Sequence, residues 1–403
     1  MTKKNFKKNF KFIDLFSGIG GFHIAMESLG GECVFSSEID KYAIENYYEN
    51  FGIDSDNDIT KTDLSKIPDH DVLCAGFPCQ AFSKAGNQNG FSDTRGTLFF
   101  EIERIIKKFK TKFIILENVR NLVSHDKGKT WKVIKNSLEN LGYLMTETPL
   151  LVSPHHLGIP QLRERVFILG IHSSLEAINL NIDINKKGKN DFSIYETGVL
   201  EDTNDDKYKI SEYEEKALNI WDEFIQGVDD KVIGFPIWTS EFKKTTDISG
   251  LPKWQKEFCE KNRNFYERNK SFIDKWLKKY NDLEDLKPTD RKFEWQCGND
   301  CDSIWDTIIQ FRPSGIRVKR PTTFPALVAM VHVPIIGKLK RKMTPREAAN
   351  LQSYPKDFKI HKNDKQAYKQ FGNSVNVEVV KFLSKQLFEL DRHNKGQAKL
   401  IKL

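Results

Sequence analysis

Short apolar runs broken by glycine-rich or acidic turns pattern the first 171 residues. Residues 12–16 form a strand-length run that ends in Ser17-Gly18-Ile19-Gly20-Gly21. A helical stretch follows to Leu29, where Gly30-Gly31 stops it. Residues 33–37 read as a second strand ending at the acidic Glu38-Ile39-Asp40, with a helix over about 40–50 behind it. The pattern then predicts a strand at 72–75, a helix at about 97–109, a strand at 113–116 running into Glu117-Asn118, and a last apolar strand at 166–171. Strands alternating with helices imply βαβ units, hence an α/β fold with a mostly parallel sheet. Ligands of such sheets sit at the carboxyl ends of the strands. The stretches 14–21 and 76–79, with Glu38 and Glu117, all fall at predicted strand ends, so one crevice can collect them.

After residue 171 that rhythm disappears. Residues 172 to about 310 are polar and rich in Asn, Asp and Lys. Within them Trp254, Phe258, Phe265, Phe272, Trp276 and Tyr280 recur at steps of four and seven, the core face of an amphipathic helix or helix pair. From Phe311 the chain is again basic and apolar, and a final helix is predicted over about 377–390. A length of 403 residues exceeds the usual single core, so two domains are expected.

Composition adds limits. Hydrophobic residues at 39% suffice for a packed globule and argue against disorder. No apolar run approaches the roughly 18 residues of a membrane span, and the basic N-terminus carries no secretory signal pattern. The net charge of +7 is too modest to establish a nucleic-acid partner by itself. Arg163, Arg165, Arg312, Arg317 and Arg320, however, fall in dense patches, and the guanidinium fork suits phosphates and base edges. Six scattered cysteines read as reduced thiols of a cytoplasmic protein. Cys297 and Cys301 amount to half a zinc site with no second pair nearby, so no metal is expected.

Three features carry chemistry. The glycine loop after the first strand allows close backbone approach to a nucleotide, and Glu38 ends the next strand, where a carboxylate can accept ribose hydroxyls. The loop lacks a full G-x-G-x-x-G, which disfavours NAD. Gly76-Phe77-Pro78-Cys79-Gln80 holds a cysteine rigidly at a strand end, a candidate nucleophile. Glu117 and the pair Arg163 and Arg165, which share one face of an extended segment, complete a site for an anionic substrate.

The order of these motifs, followed by Arg346-Glu347 with Leu351-Gln352 and by Gly372-Asn373-Ser374-Val375, resembles the DNA (cytosine-5)-methyltransferases of bacterial restriction–modification systems. The resemblance covers about residues 11–171 and 311–385, with a variable insert between. It implies a Rossmann-like S-adenosylmethionine-dependent methyltransferase domain plus a smaller DNA-recognition domain. The first would be 1–180, completed by about 366–403, and the second 181–365. Cys79 would attack carbon 6 of a flipped-out cytosine, Glu117 would bond ring N3 and the exocyclic amine, and Arg163 would contact O2. Arg165 would help hold the phosphate and the thiolate region.

Phe16, Gly18, Gly20, Glu38, Asp58, Ile59, Pro78, Leu98 and Asn373 would line the S-adenosylmethionine site, Pro78 also fixing the nucleophile loop. Residues 83–95, from Ser83 to Arg95, would form a lid on the DNA, in which Ala85-Gly86 departs from relatives that place a hydroxyl there. Arg317, Lys319 and Arg320 are expected DNA contacts in the second domain. Double-stranded DNA, a monomeric enzyme and functional pairing with a restriction endonuclease are the implied partner states.

Two rival readings stay open on sequence. A tRNA-modifying branch shares these motifs, although it carries Pro-Pro-Cys-Gln and a Cys-Phe-Thr signature that this chain lacks. A catalytically silent DNA-binding module is the other, opposed by the intact Cys79, Glu117 and Arg163.

Overall fold

The computed structural model describes residues 9–78, 98–175, 180–184, 193–229, 231, 233–327 and 332–394. Cys79, Ser83 and Arg95, with the whole segment 83–95, lie outside the described residues. The chain divides into two compact units, one drawn from Met1–Asn190, Ala326–Ala329 and Ala348–Leu403, the other from Asp191–Pro325 and Met330–Glu347.

The first unit begins β1 (Phe10–Leu15), α1 (Gly21–Ser28), β2 (Gly31–Ser37), α2 (Lys41–Phe51), β3 (Val72–Gly76), α3 (Leu98–Phe109) and β4 (Phe113–Val119). It continues with α4 (Asn121–Ser124), α5 (Lys129–Asn140), β5 (Tyr143–Met145), β6 (Leu150–Val152), β7 (Gln161–Leu162) and β8 (Arg165–His172). Seven strands form one sheet in the order β2-β1-β3-β4-β8-β5, with β6 also on β8. Pairing is parallel from β2 to β4, and β8 alone runs against its neighbours. Alternation along the strands divides the side chains between two faces. Ile13, Leu15, Leu73, Ala75, Ile114 and Leu116 pack with Phe99 and Ile102 of α3 and Ile134 of α5. On the other face Phe10 and Phe113 both meet Phe388 of the last helix.

The second unit contains α6 (Glu212–Gly227), β9 (Ile237–Trp238), α7 (Lys253–Arg268), α8 (Lys270–Lys279), β10 (Lys292–Gln296), β11 (Ile308–Arg312), β12 (Gly315–Lys319), β13 (Phe324–Pro325), β14 (Ile335–Ile336) and β15 (Arg341–Lys342). A six-stranded sheet runs β15-β14-β11-β12-β10-β9. One face of it joins the helices in a core where Trp221 stacks on Phe293 at 4.5 Å. The predicted aromatic stripe is two helices, with Phe265 and Trp276 buried as expected. Trp254, at 57% exposure, is not part of that core, because the buried line of α7 runs through Cys259, Asn262, Phe265 and Tyr266. Helix α6 escaped the sequence reading although Ser211 and Glu214 form a capping box at its start, a signal visible as Ser-x-x-Glu.

The remaining helices are α9 (Pro345–Leu351), α10 (Asp364–Asn373) and α11 (Val377–Asn394). Residues 348–365, placed by the sequence in the smaller domain, cluster with the first unit. Their aromatic side chains explain it: Phe358 meets Phe51, Phe371 and Tyr354, while Asn46 and Asn50 donate to the Lys359 carbonyl. Among the described residues no helix is long and apolar enough to cross a membrane.

Candidate active site

The carboxyl ends of β1 to β4 open onto a cavity of about 520 Å³ within the first unit. The loop after β1 reaches it through three left-handed residues, Phe16 (φ 55°), Gly18 (φ 53°) and Gly20 (φ 83°). Gly20 does not line the cavity. A Cβ there would come within 2.3 Å of the Phe51 ring, so this glycine serves the packing of the loop on α2. Gly21 is under a similar constraint, its missing Cβ leaving room for Val375 at 2.7 Å.

Glu38 is held by its surroundings. Its Oε2 accepts from the Gly18 amide at 2.8 Å and its Oε1 from the Ile39 and Asp40 amides at 2.8 and 2.9 Å. Three backbone donors orient the carboxylate at the cavity wall and leave lone-pair capacity for a ligand. Phe16, Gly18, Glu38, Asp58, Ile59, Pro78, Leu98 and Asn373 all line this one space. Ile39, Asp40, Asn57 and Lys369 also line it and were not singled out from the sequence. Asp40 could have been, since it stands in the acidic strand end, and it N-caps α2 through the Tyr42 and Ala43 amides.

Lys369 donates to Asp40 Oδ2 at 2.7 Å, joining α10 to the start of α2, and Gln370 adds a bond to the Tyr42 carbonyl at 2.9 Å. Burial raises the Asp40 carboxyl, and the Lys369 ammonium with the α2 amides brings it down below its usual value. Both side chains are more than a third exposed, so the pair contributes modestly, about 1 kcal/mol at most. Lys369→Met is expected to weaken the ligand of this cavity by up to about fivefold, an effect that calorimetry should find smaller in high salt.

At the far end of the cavity, register places Glu117 of β4 opposite Gly76 of β3 and Phe167 of β8, and Val119 opposite Arg165. Arg165 Nε therefore meets Glu117 Oε1 at 3.0 Å. Glu117 is 8% exposed. Burial pushes its carboxyl above the ordinary range, and the opposing guanidinium groups of Arg165 and Arg163 offset only part of that rise. Asn118 donates to the Phe77 carbonyl at 3.2 Å, tying β4 to the segment that leads toward Cys79.

Arg163 also lines the cavity, yet its guanidinium is committed to main-chain carbonyls. It donates to Leu327 at 3.0 Å, to Gly372 at 3.0 Å and to Ser374 at 2.8 Å. It thus anchors the C-terminal end of α10, beside Asn373.

The second-unit cations divide into two groups. Arg317 Nε donates to Glu294 at 2.9 Å, whereas Arg320 pairs with Asp300 and donates to the Gln296 carbonyl at 3.3 Å. Cys297 and Cys301 are both buried in the unit's core. Glu347 is fully buried and clamps Arg341 at 2.6 and 2.9 Å.

A nucleotide-sized cavity at the strand ends of a mostly parallel sheet, with a buried acid and an arginine at one end, is the ligand site of a Rossmann-like α/β fold. The fold matches the Entamoeba histolytica methyltransferase EhMeth with a TM-score of 0.56 at 19% identity, over 95% of this chain and 98% of that one. The chain belongs to the C-5 cytosine-specific DNA methylase family, whose model matches residues 10–389. It is 33% identical to the type II methyltransferase M.AluI of Cellulosimicrobium cellulans, over 97% of this chain and 94% of the relative. It is 36% identical to the type II methyltransferase M.HpaII of Haemophilus parainfluenzae, over 96% and 92%. Its activity is accordingly that of a DNA (cytosine-5-)-methyltransferase.

Proposed function

We propose that this enzyme is the modification methyltransferase of a type II restriction–modification system, acting on cytosine flipped out of duplex DNA in the bacterial cytoplasm. The observation that carries the site assignment is the single cavity collecting Glu38 at one end and the Arg165–Glu117 pair at the other. That space fits S-adenosylmethionine by its donor set. Glu38 presents a pre-oriented carboxylate for ribose hydroxyls, and Ile39, 75% exposed, presents an apolar surface beside it for a base. Bound there, S-adenosylmethionine supplies an electrophilic methyl group on a sulfonium.

The chain's own residues do the rest. Cytosine carbon 5 is a poor nucleophile until carbon 6 is saturated, so addition of the Cys79 thiolate divides one hard step into two easier ones. Glu117, its carboxyl held in the protonated form more readily by burial, bonds N3 and so favours the electron shift that addition requires. Arg165 holds Glu117 in place. After carbon 5 has been methylated, loss of its proton expels the Cys79 thiolate. Flipping the base costs a few kcal/mol of unstacking, which contacts from segment 83–95 and from the second unit would offset.

The second unit reads as the target-recognition part, with Arg317, Lys319 and Arg320 facing the DNA. Two measurements test the whole reading. Tritium from labelled S-adenosylmethionine should pass to duplex DNA and not to tRNA; transfer to tRNA alone would overturn the substrate assignment. Replacing the second unit by that of a relative of different specificity should move methylation, mapped by bisulfite sequencing, to the relative's site. A hybrid that is active on the original site would place recognition elsewhere.

A further inference from the structure

We propose that Arg312, Arg317 and Lys319 together form one site for a DNA backbone phosphate on the polar face of the six-stranded sheet. The register sets Arg317 between Glu294 of β10 and Gln310 of β11, and Lys319 opposite Gln296. Alternation then puts these side chains, with Arg312, on the face away from Phe293, Trp295, Ile309, Ile316 and Val318, which enter the unit's core.

Two of the three cations share one carboxylate here. Glu294 Oε2 accepts from Arg312 Nη2 at 2.6 Å and from Arg317 Nε at 2.9 Å. Lys319 is half-buried and has no ion pair among the described residues. The Arg312 Nε–H is buried without a hydrogen-bond partner among the described residues. Burial, first, and then repulsion from Arg317 depress both the Lys319 ammonium and the Arg312 guanidinium below their ordinary values. The cluster sets three cations against one carboxylate, and Glu294 holds the two arginines already oriented. A phosphate offers acceptor oxygens in the spread that guanidinium forks match. Arg320 stands apart, engaged by Asp300. Arg312, which the sequence grouped with the arginine patches suited to phosphates, enters the set through its bond to Glu294.

The proposal rests on the second unit being the DNA-recognising one, and the experiment separates the two. Full-length enzyme, Arg312→Met, Lys319→Met and the double variant are titrated with two duplexes of unrelated sequence across a range of KCl. The expected result is a loss of affinity equal on both duplexes, with the slope of log K against log salt flatter by about 0.9 for the lost phosphate contact. Unchanged slopes in Lys319→Met and the double variant overturn the cluster while leaving the recognition unit standing. A loss confined to one duplex overturns it too, since that signals base reading. Inorganic phosphate titrated without DNA provides the other arm: binding too tight for duplex DNA to displace would assign the site to a free anion instead. If the wild-type enzyme binds neither duplex, the reading of the unit itself falls. Lys319→Met leaves both arginine bonds to Glu294 in place, so it reports even if Arg312→Met misfolds.

Discussion

Cys79→Ala is expected to lose methyl transfer by roughly four orders of magnitude or more while still binding S-adenosylhomocysteine. The cysteine follows Pro78, which lines the cavity, and Asn118 holds the Phe77 carbonyl just before it. Among the described residues no cysteine lines the cavity. Cys74, Cys259, Cys297 and Cys301 are buried, and burial, first of all, pushes the Cys33 and Cys74 thiols up, away from the reactive thiolate form. A duplex carrying 5-fluorocytosine at the target gives the sharpest test, because fluorine cannot leave carbon 5 as a proton does. The wild-type enzyme should form an adduct that survives denaturant, and Cys79→Ala should form none. An adduct persisting in the variant would sink the assignment.

Glu117→Gln is expected to lower kcat by roughly two to four orders of magnitude, the usual contribution of a placed acid or base. Cofactor affinity should change little, since Glu38 lies at the other end of the cavity. The pH profile carries the more diagnostic information. The protonated acid is the useful form, and burial raises its pKa, so wild-type activity assigned to this group should be complete at low pH and fall as pH rises through the raised value. Arg165 opposes that rise through its 3.0 Å contact. Removing it in Arg165→Met should move the falling limb to higher pH, even as the lost positioning lowers kcat. A limb that stays put, or moves to lower pH, would show that another group sets it.

Much of the first unit was legible because its signals are local. The strand ends at Ser37, Gly76 and Val119 lie within a few residues of the predicted ones, since apolar runs bounded by glycine or acidic turns mark strands whatever the rest of the chain does. Glu38 and Glu117 followed from that placement. Helices α5 and α6 did not, being polar enough that their apolar positions, such as Trp131, Ile134 and Leu138, blur into surface.

What the sequence by itself determined is the inventory and the order: a glycine loop, two acids at strand ends, a proline-held cysteine and an arginine pair. Only the tertiary structure decided their partners. Arg163 was expected to face a substrate; it lines the cavity, and the fold also ties it to carbonyls 164, 209 and 211 residues away. Gly20 was expected at the cofactor and proves to make room for Phe51. Lys369 carried no signal until α10 brought it to Asp40, 329 residues earlier. Arg317 and Arg320, neighbours in a basic run, separate because one faces Glu294 and the other Asp300. The physical reason is common to the three charged cases. Backbone periodicity is written in residues a few positions apart, whereas a guanidinium or an ammonium takes whichever acceptor the packed chain brings within about 3 Å.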